Sequence, residues 1–178
     1  MGDWIDVLFF GDSSWYVVYR NVILNLDLLK ITSCARFAKS DKLCEGIKYL
    51  AWDKKMQGLS TNPSSVCWNS NSGAAAINLA VHFGAKRIVL LGFDMKLDAN
   101  NVSHWFGSYH RKEPKPPIPP FTRHLKGFDA IKVDADLLGV EILNCSDTSV
   151  ITQFKKVAVE EVLNLEESNH EGSSITGI

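Results

Sequence analysis

The stretch NSGAAAINLAVHFGAKRIVLLGFD, residues 71–94, decides the fold. It opens on Asn71, Ser72 and Gly73, small polar residues of the kind that start a helix. Ala74 to Phe83 then reads as a helix, with Ala76, Ala80 and Phe83 on one face. Gly84 stands where a left-handed C-terminal cap belongs. Lys86-Arg87 leads into the apolar run Ile88 to Leu91 and the turn Gly92-Phe93-Asp94. A helix, a glycine turn and a buried strand with a carboxylate at its carboxyl end make half of a doubly wound α/β unit.

The flanks repeat the alternation. Ile5 to Phe10 is nearly continuous in apolar residues, as suits a strand covered on both faces of a parallel sheet. Asp12-Ser13-Ser14 offers N-cap chemistry for a helix to about Asn25, with Trp15, Val18 and Val22 at helical spacing. Leu28 to Ser33 and Ile47 to Trp52 read as further strands, and Gly58 to Ser65 as a loop. Phe128 to Leu138, closed by Gly139, has helical periodicity; Val140 to Leu143 is a strand ending in Asn144-Cys145-Ser146, and Ser149 to Leu163 is helical in parts. The reading is one α/β domain over residues 1–163, a three-layer Rossmann-like fold on a mostly parallel sheet. Residues 164–178 form an acidic, Gly/Ser-rich tail expected to be disordered.

Between residues 95 and 126 regularity disappears. This stretch holds His104, His110, His124, Trp105 and the run Lys115-Pro116-Pro117-Ile118-Pro119-Pro120. So long a loop inside a compact domain reads as a functional flap or a disordered segment. From His110 to Lys126 there are five Lys/Arg and one Glu, a local excess of cations that suits a flap over a polyphosphate or nucleotide, and equally a solvated loop.

Composition excludes several classes. Nineteen basic against twenty acidic side chains give a net charge of −1, without the basic footprint of a nucleic-acid or anionic-membrane binder. No apolar run reaches membrane-spanning length. The N-terminus carries acids where a signal peptide carries positive charge, and Cys34, Cys44, Cys67 and Cys145 form no CxxC. The expectation is a cytoplasmic protein with free thiols.

In open α/β sheets, ligands bind outside the carboxyl ends of the strands. Three clusters fall there: Gly11-Asp12-Ser13-Ser14, Gly92-Phe93-Asp94 and Asn144-Cys145-Ser146. Ser72-Gly73 adds a helix start, where exposed N–H groups and the helix dipole favour an anion and glycine admits a phosphate; ordinary N-capping by Asn71 or Ser72 reads as well. Asp94 suits a divalent cation, a ribose hydroxyl, a catalytic proton or a simple turn. His104 and His110 suit general acid–base work, metal ligation with His124 and Asp94, or plain loop polarity. Asn144, Ser146 and Ser149 suit a base or sugar, or the turns that strand-end Asn and Ser often satisfy.

NSGAAAINLAVHFGAKRIVLLGFDM resembles small bacteriophage and bacterial proteins of the domain family shared with archaeal MptE-like 6-hydroxymethylpterin diphosphokinases, and more distantly the family 42 sialyltransferases. His104-Trp105-Phe106-Gly107 and Asn144-Cys145-Ser146, Ser149 and Phe154-Lys155-Lys156 extend the likeness over roughly residues 5–163. The resemblance implies a phage-encoded chain in the bacterial host cytoplasm. It further implies Ser72 and Gly73 at a nucleotide phosphate, Asp94 at the active-site edge and His104 as counterpart of the sialyltransferases' catalytic histidine. Such proteins begin with a strand and a glycine-rich loop. This chain begins at about the second strand, so the expected fold has that strand missing and an exposed edge that favours a homo-oligomer. The function implied is nucleotide-dependent transfer of a glycosyl or diphosphate group, using a nucleotide or nucleotide-sugar with magnesium, Asp94 being the candidate metal ligand. The cofactor-binding set is Asp12, Ser72, Gly73, Asn144 and Ser146. A non-catalytic binding module and a metal-dependent hydrolase are the alternatives.

Overall fold

The apolar run at the N-terminus forms β1 (Val7–Phe10), and Asp12 caps the helix that follows, α1 (Ser13–Leu24). Its carboxylate accepts from the amides of Ser14 at 2.7 Å and Trp15 at 3.3 Å. The computed structural model describes residues 4–38, 46–100 and 121–164. In chain order the remaining elements are β2 (Leu29–Thr32), a short 3-10 turn (Ala35–Phe37), β3 (Ile47–Tyr49), β4 (Ala51–Trp52) and β5 (Ser65–Val66). Then come α2 (Ser72–His82), β6 (Arg87–Leu90), α3 (Phe121–Leu138), β7 (Glu141–Asn144) and β8 (Lys155–Lys156).

The fold is α/β, and every strand pair among the described residues is parallel. β1, β2 and β3 make one sheet in that order, β6, β7 and β8 another, and β4 pairs with β5. The strands expected to share a single sheet thus lie in two three-stranded sheets. α2 connects them: it packs on β1 and β5 and then runs into β6. One core joins α2, β6, α3 and β7 through Ala74, Ile77, Ile88, Leu90, Phe128, Ile131 and Ile142. A smaller one gathers Phe10, Tyr16, Ile23, Cys34, Phe37 and Ile47.

Two helix faces differ from the sequence expectation. In α1 the buried residues are Tyr16 and Ile23, with Tyr19 packed against them, while Val18 and Val22 stand exposed. Tyr16 stacks on Phe10 and meets Phe37 edge-on, and this larger contact wins over the valine stripe. In α2 the buried residues are Ala74, Ala75, Ile77, Asn78 and Leu79, and Phe83 is exposed. Gly84 adopts the expected left-handed conformation at φ 85°, and Gly139, which closes α3, is left-handed too at 65°.

The flap expected over 95–126 ends earlier, because α3 already starts at Phe121. Leu125, Phe128, Ile131 and Ala135 fall at helical spacing onto the larger core. Ser149 to Leu163 is helical only from residue 159, and β8 pairs with β7 through Leu143↔Lys155 and Asn144↔Lys156. The remainder of the expected flap, residues 101–120, and most of the expected tail lie outside the described residues. No described helix is long and apolar enough to cross a membrane. Cys34, Cys67 and Cys145 are free thiols; Cys44 lies outside the described residues.

Candidate functional site

The first turn of α2 is where the strand ends meet. Asn71 is its N-cap, and its Oδ1 accepts from the amides of Gly73 at 2.8 Å and Ala74 at 3.4 Å. Ser72 lies against the turn that follows β1: a Cβ placed on Gly11 would be 3.0 Å from Ser72 Oγ and 3.2 Å from the Trp68 ring. On the other side, a Cβ on Gly73 would meet the Phe93 ring at 2.9 Å. The close approach that Gly73 permits is therefore made by Phe93, just beyond β6. The Gly11 turn and the Phe93 ring thus meet the first turn of α2 at Ser72 and Gly73, while the Asp12 carboxylate caps α1.

A second set of bonds ties β7 to this turn. Ser146 Oγ accepts from the Phe93 amide at 2.9 Å, and Ser149 Oγ donates to the Phe93 carbonyl at 2.6 Å. Thr148 Oγ1 donates to Asp94 Oδ1 at 2.9 Å. Asn144 accepts from the Ser146 amide at 3.0 Å through Oδ1, while its buried Nδ2 has no hydrogen-bond partner. The Ser33 hydroxyl, just past β2, is likewise buried and unpartnered. Unused donors at the carboxyl ends of β2 and β7 are what a ligand or an ordered water would satisfy.

Electrostatics separates these positions. The Asp12 carboxylate already sits on the N-terminus of α1, where it complements the helix dipole and repels a phosphate. A neutral cap, Asn71, holds the α2 start and leaves that dipole without a formal counter-charge. Asp12 thus suits a ribose hydroxyl or a cation, and the α2 start suits an anion. Among the described residues no three His, Cys, Asp or Glu side chains gather as a metal site. His104 and His110 lie outside the described residues. His124 is on α3, where burial first and the neighbouring Arg123 second push its imidazole toward the neutral form.

The support beneath the helix start is a buried polar network that the residue patterns did not disclose. Asn78 is fully buried; its Oδ1 accepts from the amides of Ser60 at 2.8 Å and Cys67 at 2.9 Å, and its Nδ2 donates to the Ser60 carbonyl at 3.0 Å. Asn69 accepts from the Gly58 amide at 2.7 Å and donates to the carbonyls of Gly58 and Cys67. Asn69 and Ser70 are both left-handed, at φ 50° and 56°, immediately before the Asn71 cap. Asp53 receives the hydroxyls of Ser60 and Ser65 and the Lys55 amide, and the Ser60 bond above all holds its carboxyl below the usual range. Burial pushes the Cys67 thiol up to about 11, so it is an inert core group. The readable signal was Asn78 itself, a polar residue between Ile77 and Leu79 in an apolar helix.

Two surface cavities lie away from the first turn of α2, the first of them bordering the Asp53–Ser60 network. One of about 280 Å³ is lined by Asp53, Lys55, Ser60, Asp134 and Leu137 among others. The other, about 160 Å³, sits by Lys132, Glu141, Phe154 and Lys155. Comparison with protein-family models, curated proteins and solved structures finds no match to this chain.

Proposed function

We propose that this chain binds a nucleotide or nucleotide-sugar at the carboxyl ends of its parallel strands, and that it is a nucleotide-dependent transferase of glycosyl or diphosphate groups on a single Rossmann-like scaffold. The observation that carries the reading is the seating of Gly11 against Ser72, which sets the β1–α1 turn beside the neutral start of α2. Phosphate oxygens belong at Ser72, where the helix dipole has no charged cap. Asp12 and Asp94 belong to ribose hydroxyls or a magnesium ion, and the Asn144 amide offers a donor to a base or sugar. His104 is the base assigned to the acceptor hydroxyl through the resemblance.

A thermal-shift panel of CMP, CDP, UDP, GDP and ATP, with and without magnesium, tests this. Binding raises the melting temperature as ligand exceeds its dissociation constant. The expected outcome is a rise with at least one nucleotide that is lost in Ser72→Val, and a magnesium-dependent part lost in Asp94→Asn. No shift with any nucleotide at millimolar concentration overturns the reading. The second reading, a binding module without catalysis, has its own support: Asn71 holds the Gly73 and Ala74 amides and Phe93 covers Gly73. A nucleotide-induced shift without turnover toward any hydroxyl acceptor selects it.

A further inference from the structure

The cavity of about 280 Å³ lies between the 53–62 loop and the last turns of α3. One close approach shapes it. Gly58 has φ 84°, and a Cβ there would fall 2.1 Å from Asp134 Oδ2, so no side chain fits between the loop and the helix. The loop backbone closes on α3 instead, and the Leu59 amide donates to Asp134 Oδ2 at 2.7 Å. Lys55 Nζ reaches the same oxygen at 2.5 Å, while the Lys55 amide donates to Asp53 Oδ1 at 2.8 Å. Asp134 Oδ1 takes no hydrogen bond among the described residues. The Asp134 side chain is only 17% exposed, and that of Lys55 is 48% exposed. The carboxylate is thus fixed by the fold, and its ammonium partner stands at the mouth of the cavity. A half-exposed pair of this kind holds its flexible member weakly.

Two independent features select a cation. Among the described residues the lining holds two carboxylates, Asp53 and Asp134, against the single ammonium of Lys55. The cavity also borders the carboxyl end of α3, a helix of 18 residues with no basic side chain in its last turn. The negative end of its dipole therefore lacks the positive charge that such an end favours. The rest of the wall is apolar. Leu59 is buried at the back, and Leu137 and Leu138 leave the last turn of α3 with 81% and 37% of their surface in water. Small-molecule pockets run from roughly 300 Å³ upward, so the occupant is small. Lys55 itself shows the chemistry that fits: an alkyl chain ending in an ammonium on Asp134.

We propose that this cavity binds a small primary alkylammonium, which takes the place of the Lys55 ammonium on Asp134 and lays its carbon chain against Leu137 and Leu138. The ligand's three N–H donors meet Asp134 Oδ1, open in the free chain, and the part of Oδ2 that Lys55 gives up. Lys55 swings into solvent, and the carboxylate stays in place on the Leu59 amide. Burial of the leucine side chains under the ligand's alkyl group adds the apolar share of the affinity. The site is independent of nucleotide binding, because it uses the 53–62 loop and the end of α3 and not the first turn of α2.

Titration of the full chain followed by amide NMR tests the proposal. The probe is isopentylamine, a cation at about pH 7 like a lysine side chain. Isopentanol and isocaproate carry the same branched alkyl group on a neutral and on an anionic head. The amine is expected to shift the amides of Leu59, Leu137 and Leu138 to saturation in the millimolar range, and the alcohol and the carboxylate to leave them unsaturated. Asp134→Asn keeps an oxygen for the Leu59 amide and weakens the amine by about tenfold or more. Lys55→Met removes the competing ammonium and tightens binding severalfold. Leu137→Ser, at a side chain already in water, weakens it with the fold intact. The comparison of the three compounds on the unaltered chain decides the matter even where a variant is unstable. Saturable binding of the carboxylate or the alcohol equal to that of the amine overturns the proposal. So does unchanged affinity in a folded Asp134→Asn, weaker binding in a folded Lys55→Met, or no saturation at tens of millimolar amine.

Discussion

Asp53 shows how one carboxylate serves the loop beneath the helix start. Two serine hydroxyls and the Lys55 amide donate to it, and its pKa falls in the folded chain because those bonds favour the charged form. A group lowered on folding contributes stability that is present above its unfolded pKa, about 4, and is lost as pH falls through the folded value. Asp53→Asn therefore destabilises more at pH 7 than at pH 3, and the variant's acid limb is flatter. Urea midpoints at the two pH values check this; an equal loss at both would assign the residue a purely steric role. Nothing in the one-letter sequence marked Asp53, since its partners lie seven and twelve positions away in a stretch whose composition reads only as loop.

At the scale of elements, α3 meets the strained loop through Gly127. A Cβ there would stand 2.8 Å from Asn69 Cβ and 3.1 Å from its backbone oxygen. Helix propensity alone would make Gly127→Ala stabilising by about 1 kcal/mol. The contact with backbone reverses the sign, and overpacking of this kind costs roughly 1–3 kcal/mol. Gly127→Ala is expected to be less stable by about 1 kcal/mol, read as a fall in the denaturation midpoint without change in slope. The central helix and most strands were legible because their apolar periods are undisturbed. The start of α3 was not, since Arg123, His124, Lys126 and Gly127 give its first turns the composition of a loop. β8 was hidden for the opposite reason: a pair of lysines carries no strand pattern, and it is held by its ladder to β7 and by the Lys156 ammonium on the carbonyls of Asp147 and Ser149. At the candidate site, Ser72, Gly73 and Asp94 were legible as a helix start and a strand end. The sequence left open how Gly73 is used, because the arrival of the Phe93 ring is a tertiary contact.

At the scale of the whole molecule, the described residues form two cores of unequal size, twelve buried residues around α2, β6, α3 and β7 against six around β1, α1 and β3. With no ladder joining β1 to β6 among the described residues, the smaller unit is held to the larger chiefly through α2. Sub-global opening follows such divisions. Native-state hydrogen exchange in low denaturant should release the amides of β1 and β2 before those of β6 and β7. Simultaneous release of all four strands would mean that α2 couples the halves into one cooperative unit.

The left-handed Asn69 also bears on how this sequence is free to drift. Glycine would accept the backbone angle but surrender three hydrogen bonds and the packing against α3. Aspartate would tolerate the angle and still accept from Gly58, yet it would face the carbonyls of Gly58 and Cys67 with a negative charge and nothing to donate. Larger or branched side chains fail on the angle itself. Each single-step replacement thus loses something different, and position 69 is closed to gradual change. Gly127, which meets the same side chain from α3, can vary only together with it, so the two form one inherited unit spread across a loop and a helix, while Gly58 is confined separately by its own φ of 84° and by Asp134.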